Sequence, residues 1–144
     1  MKIWLAAALA LAPTAAAAQD ANDFCGNLTR IIAAARESDP FASVDAPRPN
    51  RLLSFASFCW KVEMGAVRFS CIGDRPAADV TGESIAAEVR RCLPAALPDP
   101  EPDPEDPEGK DVRLILDGVR ILVMSRDYAE GRTVSLVVWP PARR

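Results

Sequence analysis

Four cysteines constrain this chain more than any other feature. They are Cys25, Cys59, Cys71 and Cys92, and the chain contains no histidine. An even number of cysteines is typical of two disulfides in an oxidising compartment. A zinc site would need histidines or closely spaced cysteine pairs, and a redox-active pair would need the same close spacing. The sequence therefore predicts two structural disulfides and neither a metal nor a cofactor.

The N-terminal segment predicts export from the cytoplasm. It reads MKIWLAAALALAPTAAAAQD, one lysine followed by a short apolar run and then small residues. This pattern is typical of a secretory signal peptide, and the run is too short to span a bilayer as a helix. We predict a signal peptide over residues 1–18, a single mature domain over residues 19–144 without a membrane anchor, and a periplasmic or secreted location. The abundance of Ala, Arg and Pro over Lys and Asn favours a bacterium with a GC-rich genome.

Charge argues against one class of partner. The chain has 17 basic and 20 acidic residues, and signal removal deletes only Lys2 from these. Binding to nucleic acid needs a concentrated positive surface, which a modest acidic excess does not favour.

Two stretches have the apolar spacing of amphipathic helices. The first follows a predicted N-cap at Asn22 or Asp23 and contains Phe24, Leu28, Ile31, Ile32 and Ala35. The second covers Glu83 to Leu93 after an N-cap at Thr81 or a turn at Gly82, and it ends before Pro94. Its apolar stripe contains Ile85, Ala86, Val89, Cys92 and Leu93.

Residues 51–64 and 67–72 predict the two strands of a first hairpin, with Gly65-Ala66 as a two-residue turn. This turn places Val62 opposite Phe69 and Trp60 opposite Cys71. One face is then wholly apolar: Phe58, Trp60, Val62, Met64, Val67, Phe69 and Cys71. A shift by one residue would mix Lys61 with Phe69 and Val62 with Arg68, so we expect the apolar register.

The expected register decides the expected disulfides. Cys59 and Cys71 would point to opposite faces and could not bridge each other. We therefore predict Cys71 paired with Cys92, and Cys25 paired with Cys59. A bulge or a three-residue loop centred on Gly65 would instead pair Cys59 with Cys71 and leave Cys25 with Cys92, and the sequence alone does not fix the connectivity.

Residues 94–109, PAALPDPEPDPEDPEG, form an acidic proline-rich loop. Prolines alternate with acids so regularly that we expect neither helix nor strand pairing, only an extended and solvated spacer. Its carboxylates resemble calcium ligands in type, but the segment lacks the curled geometry of a calcium loop until Gly109, so we favour the spacer.

Asp117-Gly118, between alternating apolar residues, is the strongest hairpin signal in the chain. With Leu116 opposite Val119, an apolar face forms from Val112, Leu114, Leu116, Val119, Ile121 and Val123. A second turn near Glu130-Gly131 returns the chain as a third strand to Trp139. The element order α-β-β-α-β-β-β predicts an α+β fold, a two-layer sandwich in which two helices cover an antiparallel sheet. Whether both hairpins join one sheet is undecided by the sequence.

The sequence carries no recognisable catalytic constellation. Without histidine, the Ser-His-Asp and Cys-His arrangements are absent, and no phosphate-binding glycine loop is present. We expect a noncatalytic binding module of the bacterial envelope; the alternative is a small hydrolase that uses carboxylates.

The expected interaction face is the second face of the three-stranded meander. Its expected partner is an envelope protein or an anionic glycan. Its main residues are Arg113, Arg120, Leu122, Met124, Arg126 and Trp139, beside Ile115, Tyr128 and Val137. The alternative is that long arginine stems merely shield the sheet.

Overall fold

A computed structural model of the chain describes residues 23–47, 49–101, 105–106 and 109–143. The predicted signal peptide lies outside these residues. The elements are α1 (Phe24–Ala34), β1 (Phe58–Val62), β2 (Arg68–Asp74), α2 (Gly82–Cys92), β3 (Leu97–Pro98), β4 (Val112–Leu116), β5 (Val119–Tyr128) and β6 (Gly131–Trp139). The α+β class and the order of the predicted elements are confirmed, and β3 is an additional short strand.

The described strands form one antiparallel sheet in the order β1-β2-β6-β5-β4-β3. Both hairpins therefore share a single sheet, because β2 pairs with β6 along its length. The Asp117-Gly118 turn places Leu116 opposite Val119 as expected, with φ angles of 47° and 81° at the two turn residues.

Local signals fix the start of both helices. The Asp23 carboxylate accepts a hydrogen bond from the Gly26 N–H at 2.9 Å, which caps α1. Thr81 and Ser84 form a reciprocal capping box at α2, with side-chain to backbone distances of 3.0 and 2.9 Å. The residues predicted to lie on the inner stripes of the helices, such as Leu28, Ile31 and Val89, are buried.

The core lies between the two helices and one face of the sheet, which we call the inner face. Phe69, Ile121, Leu136 and Val138 point into it from four neighbouring positions of β2, β5 and β6. Phe41, in the connection after α1, stacks on Phe69 with a ring separation of 5.6 Å. Phe41 has a φ of 68°, a conformation that non-glycine residues adopt at a cost of about 1–3 kcal/mol, so the packing of its ring offsets local backbone strain.

The predicted register of the first hairpin is wrong by one residue. Cys59 lies opposite Cys71, Lys61 opposite Phe69 and Val62 opposite Arg68, with residues 63–67 as the loop. The prediction assumed that the apolar side chains of β1 must face the core. Instead Phe58, Trp60 and Val62 lie half-buried on the face of the sheet that points away from the helices, together with Arg68 and Ser70 of β2.

The charge of Lys61 on the inner face is accommodated at the sheet edge. Its Nζ lies 2.6 Å from Asp39 and 3.1 Å from Glu63. Hydrogen bonds to these two carboxylates raise the pKa of Lys61 above its ordinary value.

The predicted disulfide connectivity is wrong for the same reason as the register. The disulfides are Cys25–Cys92 and Cys59–Cys71, the alternative pairing that a longer loop at Gly65 allows. The first joins the first turn of α1 to the last turn of α2, and the second joins directly opposed residues of β1 and β2, whose side chains are fully buried. Two disulfides fit a protein of an oxidising compartment.

One edge of the described sheet is covered, and the strand at the other edge is short. Along β1, the Cys59 N–H donates to the Asn50 carbonyl at 2.6 Å and the Lys61 N–H donates to the Asp45 carboxylate at 3.1 Å. At the other edge, β3 has only two residues, one of them Pro98, and the Asp99 N–H extends its ladder with β4 by donating to the Arg113 carbonyl at 3.0 Å. A covered edge and a short edge strand that contains proline both disfavour the addition of a strand from another chain.

Candidate interaction face

The sheet face that points away from the helices, which we call the outer face, contains all six residues predicted for interaction. The strand pairing places Arg113 beside Leu122, Arg120 beside Trp139, and Met124 and Arg126 beside neighbouring residues of β6. In the part of the chain that the structure describes, both helices pack on the inner face and neither lies over this one. Its side chains are mostly half-buried by one another rather than by a second layer.

Two aromatic residues of β1 extend the outer face beyond the predicted set. Phe58 and Trp60 lie with ring centroids 4.9 Å apart. The row that begins at Trp60 continues through Ser70, Val137 and Leu122 to Arg113 on β4. Sequence reasoning missed this extension because it assigned Phe58 and Trp60 to the core. Their separation by two residues in a strand was the signal that they share a face.

Arg113 and Arg120 hold a carboxylate from the acidic proline-rich loop. The Asp99 side chain is only 3% exposed, and its Oδ2 lies 3.5 Å from Arg120 Nε and 3.9 Å from Arg113 Nη2. Glu101 forms an ion pair with Arg120, and its carbonyl accepts a hydrogen bond from Arg113 Nη1 at 2.5 Å. The loop therefore begins as a docked segment, which corrects the interpretation of residues 94–109 as a solvated spacer that cannot pair with a strand.

Arg126 holds a second buried carboxylate, just beyond the loop. Its two terminal nitrogens each lie 2.6 Å from an oxygen of Asp111, whose side chain is 2% exposed. This bidentate geometry is the strongest form of an arginine–carboxylate contact, and it raises the pKa of Arg126. The Asp106 carboxylate in turn accepts hydrogen bonds from the N–H groups of Asp111 and Lys110, which lowers the pKa of Asp106.

These contacts change the electrostatics expected of the outer face. The three arginines were predicted as sites for an anionic partner, but each contacts a carboxylate of this chain. Arg68, on β2, differs: it donates hydrogen bonds to the carbonyls of Met64 and Ala66, both at 3.3 Å. The positive charge of Arg113, Arg120 and Arg126 is therefore compensated within the chain, and the face presents these arginines beside half-buried aromatic side chains.

One end of the outer face is concave. A cleft of about 900 Å³ lies there, which is within the size range of ligand-binding clefts. Ile115, Trp139, Pro140 and Pro141 give it apolar walls, and its charged lining residues are Arg113, Arg120, Asp99 and Asp117. The cleft thus combines an apolar surface with Arg120, the arginine that also pairs with Glu101.

Other kinds of site are not formed by the described residues. Within the described ranges, no three acidic or cysteine side chains gather in a way that could hold a metal ion. Over the same ranges, no helix has the length and apolar character needed to cross a bilayer. The residues of the acidic loop at 102–104 and 107–108 lie outside the description.

Comparisons with known proteins give no relative to argue from. Neither the protein-family models, nor the curated proteins, nor the solved structures contain a match to this chain. The functional argument therefore depends on the geometry of the outer face.

Proposed function

We propose that this chain is a noncatalytic binding module of the bacterial envelope, periplasmic or secreted, that holds a protein partner on its outer face. The observation that carries the proposal is the continuous outer surface from Phe58 and Trp60 on β1 to Ile115 on β4, over which no described helix lies. The five strands from β1 to β4, spaced about 4.8 Å apart, make this surface about 19 Å wide, which suits a protein interface of ordinary size.

The composition of the surface favours protein over glycan. Aromatic residues, methionine and arginine are enriched at the centres of protein interfaces. Because Arg113, Arg120 and Arg126 already contact carboxylates of this chain, negative charge alone would not select a partner, and apolar contacts must contribute to its binding. The covered β1 edge and the short, proline-containing β3 edge favour docking onto the face over pairing with an edge strand.

The disulfides support the proposed location. Cys25–Cys92 and Cys59–Cys71 are stable in an oxidising compartment such as the periplasm. The sequence-based prediction of a signal peptide over residues 1–18 points the same way, and so does the predicted bacterial origin.

A crosslinking experiment followed by a reconstituted binding measurement tests the proposal. A photoreactive amino acid at Met124, on the outer face, should crosslink one envelope protein, whereas the same group at the exposed Ala87 on α2 should not. The crosslinked protein is identified, purified and titrated with the mature chain by calorimetry. We expect Trp60→Ala and Trp139→Ala each to weaken this binding at least tenfold, or about 1.4 kcal/mol.

Folding controls separate loss of binding from loss of structure. Both tryptophans are half-buried, so thermal unfolding and circular dichroism should show that the variants remain folded. Arg90→Ala, at an exposed position of α2, should leave the affinity unchanged. Equal crosslinking from Ala87, or an affinity that neither tryptophan variant changes, would contradict the proposal.

A further inference from the structure

The segment from Leu97 to Glu101 lies on the sheet as a bound acidic peptide would. Leu97 and Pro98 pair with β4 as a strand, and the Asp99 N–H continues the ladder. Alternate side chains, those of Leu97, Asp99 and Glu101, then lie on the side of the outer face. Leu97 is paired with Ile115, and both acids contact arginines of that face.

The two acids are held very differently. Asp99 is 3% exposed, lies between two arginines and accepts a hydrogen bond from the Glu101 N–H at 3.1 Å, so its carboxylate is enclosed by this chain. The side chain of Glu101 is 53% exposed and that of Arg120 is 43% exposed. An exposed pair of this kind is favoured over its separated state by only about one- to fivefold, so another carboxylate can replace Glu101 at little cost.

The cleft lies beside this exchangeable contact. Arg120 and Trp139 are directly opposed across β5 and β6, and both line the cleft together with Ile115 and Pro140. A carboxylate bound at Arg120 therefore brings its neighbouring groups over an apolar surface. The ligand that fits is a peptide in which an acidic residue adjoins an aromatic or aliphatic one.

We infer that the outer face recognises an acidic peptide segment of its partner, whose carboxylate replaces Glu101 on Arg120 while an adjacent apolar side chain enters the cleft at Trp139. This inference rests on the proposed function and names the chemistry of the partner. Glu101 acts in it as an intramolecular competitor. Because Glu101 is tethered near Arg120, its effective concentration there is in the millimolar range. Glu101 therefore outcompetes acidic ligands that bind through Arg120 alone, whereas ligands that also fill the cleft still bind.

The test uses two blocked peptides, acetyl-Phe-Glu-Pro-Glu-amide and acetyl-Phe-Gln-Pro-Gln-amide. They are titrated into the mature, oxidised protein, and the indole N–H resonance of Trp139 is followed by NMR. We expect the acidic peptide to bind more tightly than its neutral analogue. Glu101→Gln should tighten acidic-peptide binding by about two- to sixfold by removing a competitor that is favoured by about one- to fivefold.

Two arginine variants make the test specific. Arg120→Gln should abolish the preference for the acidic peptide, whereas the matched variant Arg90→Gln, at an exposed position of α2 away from the outer face, should keep it. Wild-type affinity in both Glu101→Gln and Arg120→Gln, or no response of Trp139 in any variant, would overturn the inference. Tighter binding of an oligogalacturonide than of the acidic peptide would overturn it in favour of an anionic glycan.

Failure of this inference can be distinguished from failure of the proposed function. If the peptides do not bind but the crosslinked envelope protein still requires Trp60 and Trp139, the inference fails and the function stands. If the envelope protein binds without needing these tryptophans, the proposed function fails independently of the peptide result.

Discussion

Opening the Cys25–Cys92 disulfide should be the most destabilising change that leaves the sheet intact. The bridge closes 67 residues, whereas Cys59–Cys71 closes only 12. Because the smaller loop lies within the larger one and shortens it, the chain-entropy model gives about 4 kcal/mol for Cys25–Cys92 and about 3 kcal/mol for Cys59–Cys71. A domain of ordinary stability has about 5–15 kcal/mol in total.

The assay compares the mature protein with the double variant Cys25→Ala/Cys92→Ala in urea under oxidising conditions. We expect the free energy of unfolding to fall by about 4 kcal/mol. At about 4 °C per kcal/mol, the midpoint of thermal unfolding should fall by about 16 °C. The far-UV circular dichroism of the variant below its midpoint should remain that of an α+β protein.

Thiol titration in denaturant decides whether the connectivity behind this estimate is right. Cys25→Ala/Cys92→Ala and Cys59→Ala/Cys71→Ala should each contain no free thiol, whereas Cys25→Ala/Cys59→Ala should contain two. Two free thiols in the first variant, or a loss of stability below about 1 kcal/mol, would refute the reasoning. Dithiothreitol should also reduce the half-buried Cys25–Cys92 bridge before the fully buried Cys59–Cys71 bridge.

Three further changes test the core, a turn and one ionisable group. Phe69→Ala should lower the free energy of unfolding in urea by about 3–5 kcal/mol, because Phe69 is fully buried, whereas Met64→Ala, at a side chain 86% exposed, should change it by less than about 0.5 kcal/mol. Gly118→Ala should destabilise by about 1–2 kcal/mol, because φ is +81° there; an unchanged midpoint would contradict the turn geometry. The pKa of Asp106 is lowered by its hydrogen bonds from the backbone. The stability that these hydrogen bonds give the folded protein should be complete above the unfolded pKa of about 3.9, and it should be lost as the pH falls through the lower pKa of the folded state. The NMR shift of the Asp111 amide should follow this titration, and a midpoint at or above 3.9 would contradict it.

Features that depend on neighbours in the chain were predictable from the sequence. The caps at Asp23 and Thr81, the apolar stripes of both helices, and the turn at Asp117-Gly118 are confirmed because each is decided within a few residues. The face that groups Arg120 with Trp139 followed from the same local logic, since alternation in a strand fixes which side chains share a side.

The candidate site was predictable only in part. Its arginines and Trp139 were identified, but the carboxylates that contact those arginines were not. Composition indicated that residues 94–109 are solvated, and nothing local distinguishes Asp99 from the other acids in that loop. Asp99 is buried because β3 pairs with β4, a contact between segments that are distant in the chain.

The sequence by itself determined the helices, the second hairpin, the number of disulfides and the α+β class. Tertiary structure decided the pairing of β2 with β6, the register of the first hairpin and the partner of each cysteine. The physical reason is that the observed register mixes apolar and charged side chains on each face of the first hairpin, which local hydrophobic pattern argues against. Contacts between distant segments outweigh that pattern: Asp39 compensates the charge of Lys61, and the buried Cys59–Cys71 bridge joins the two strands.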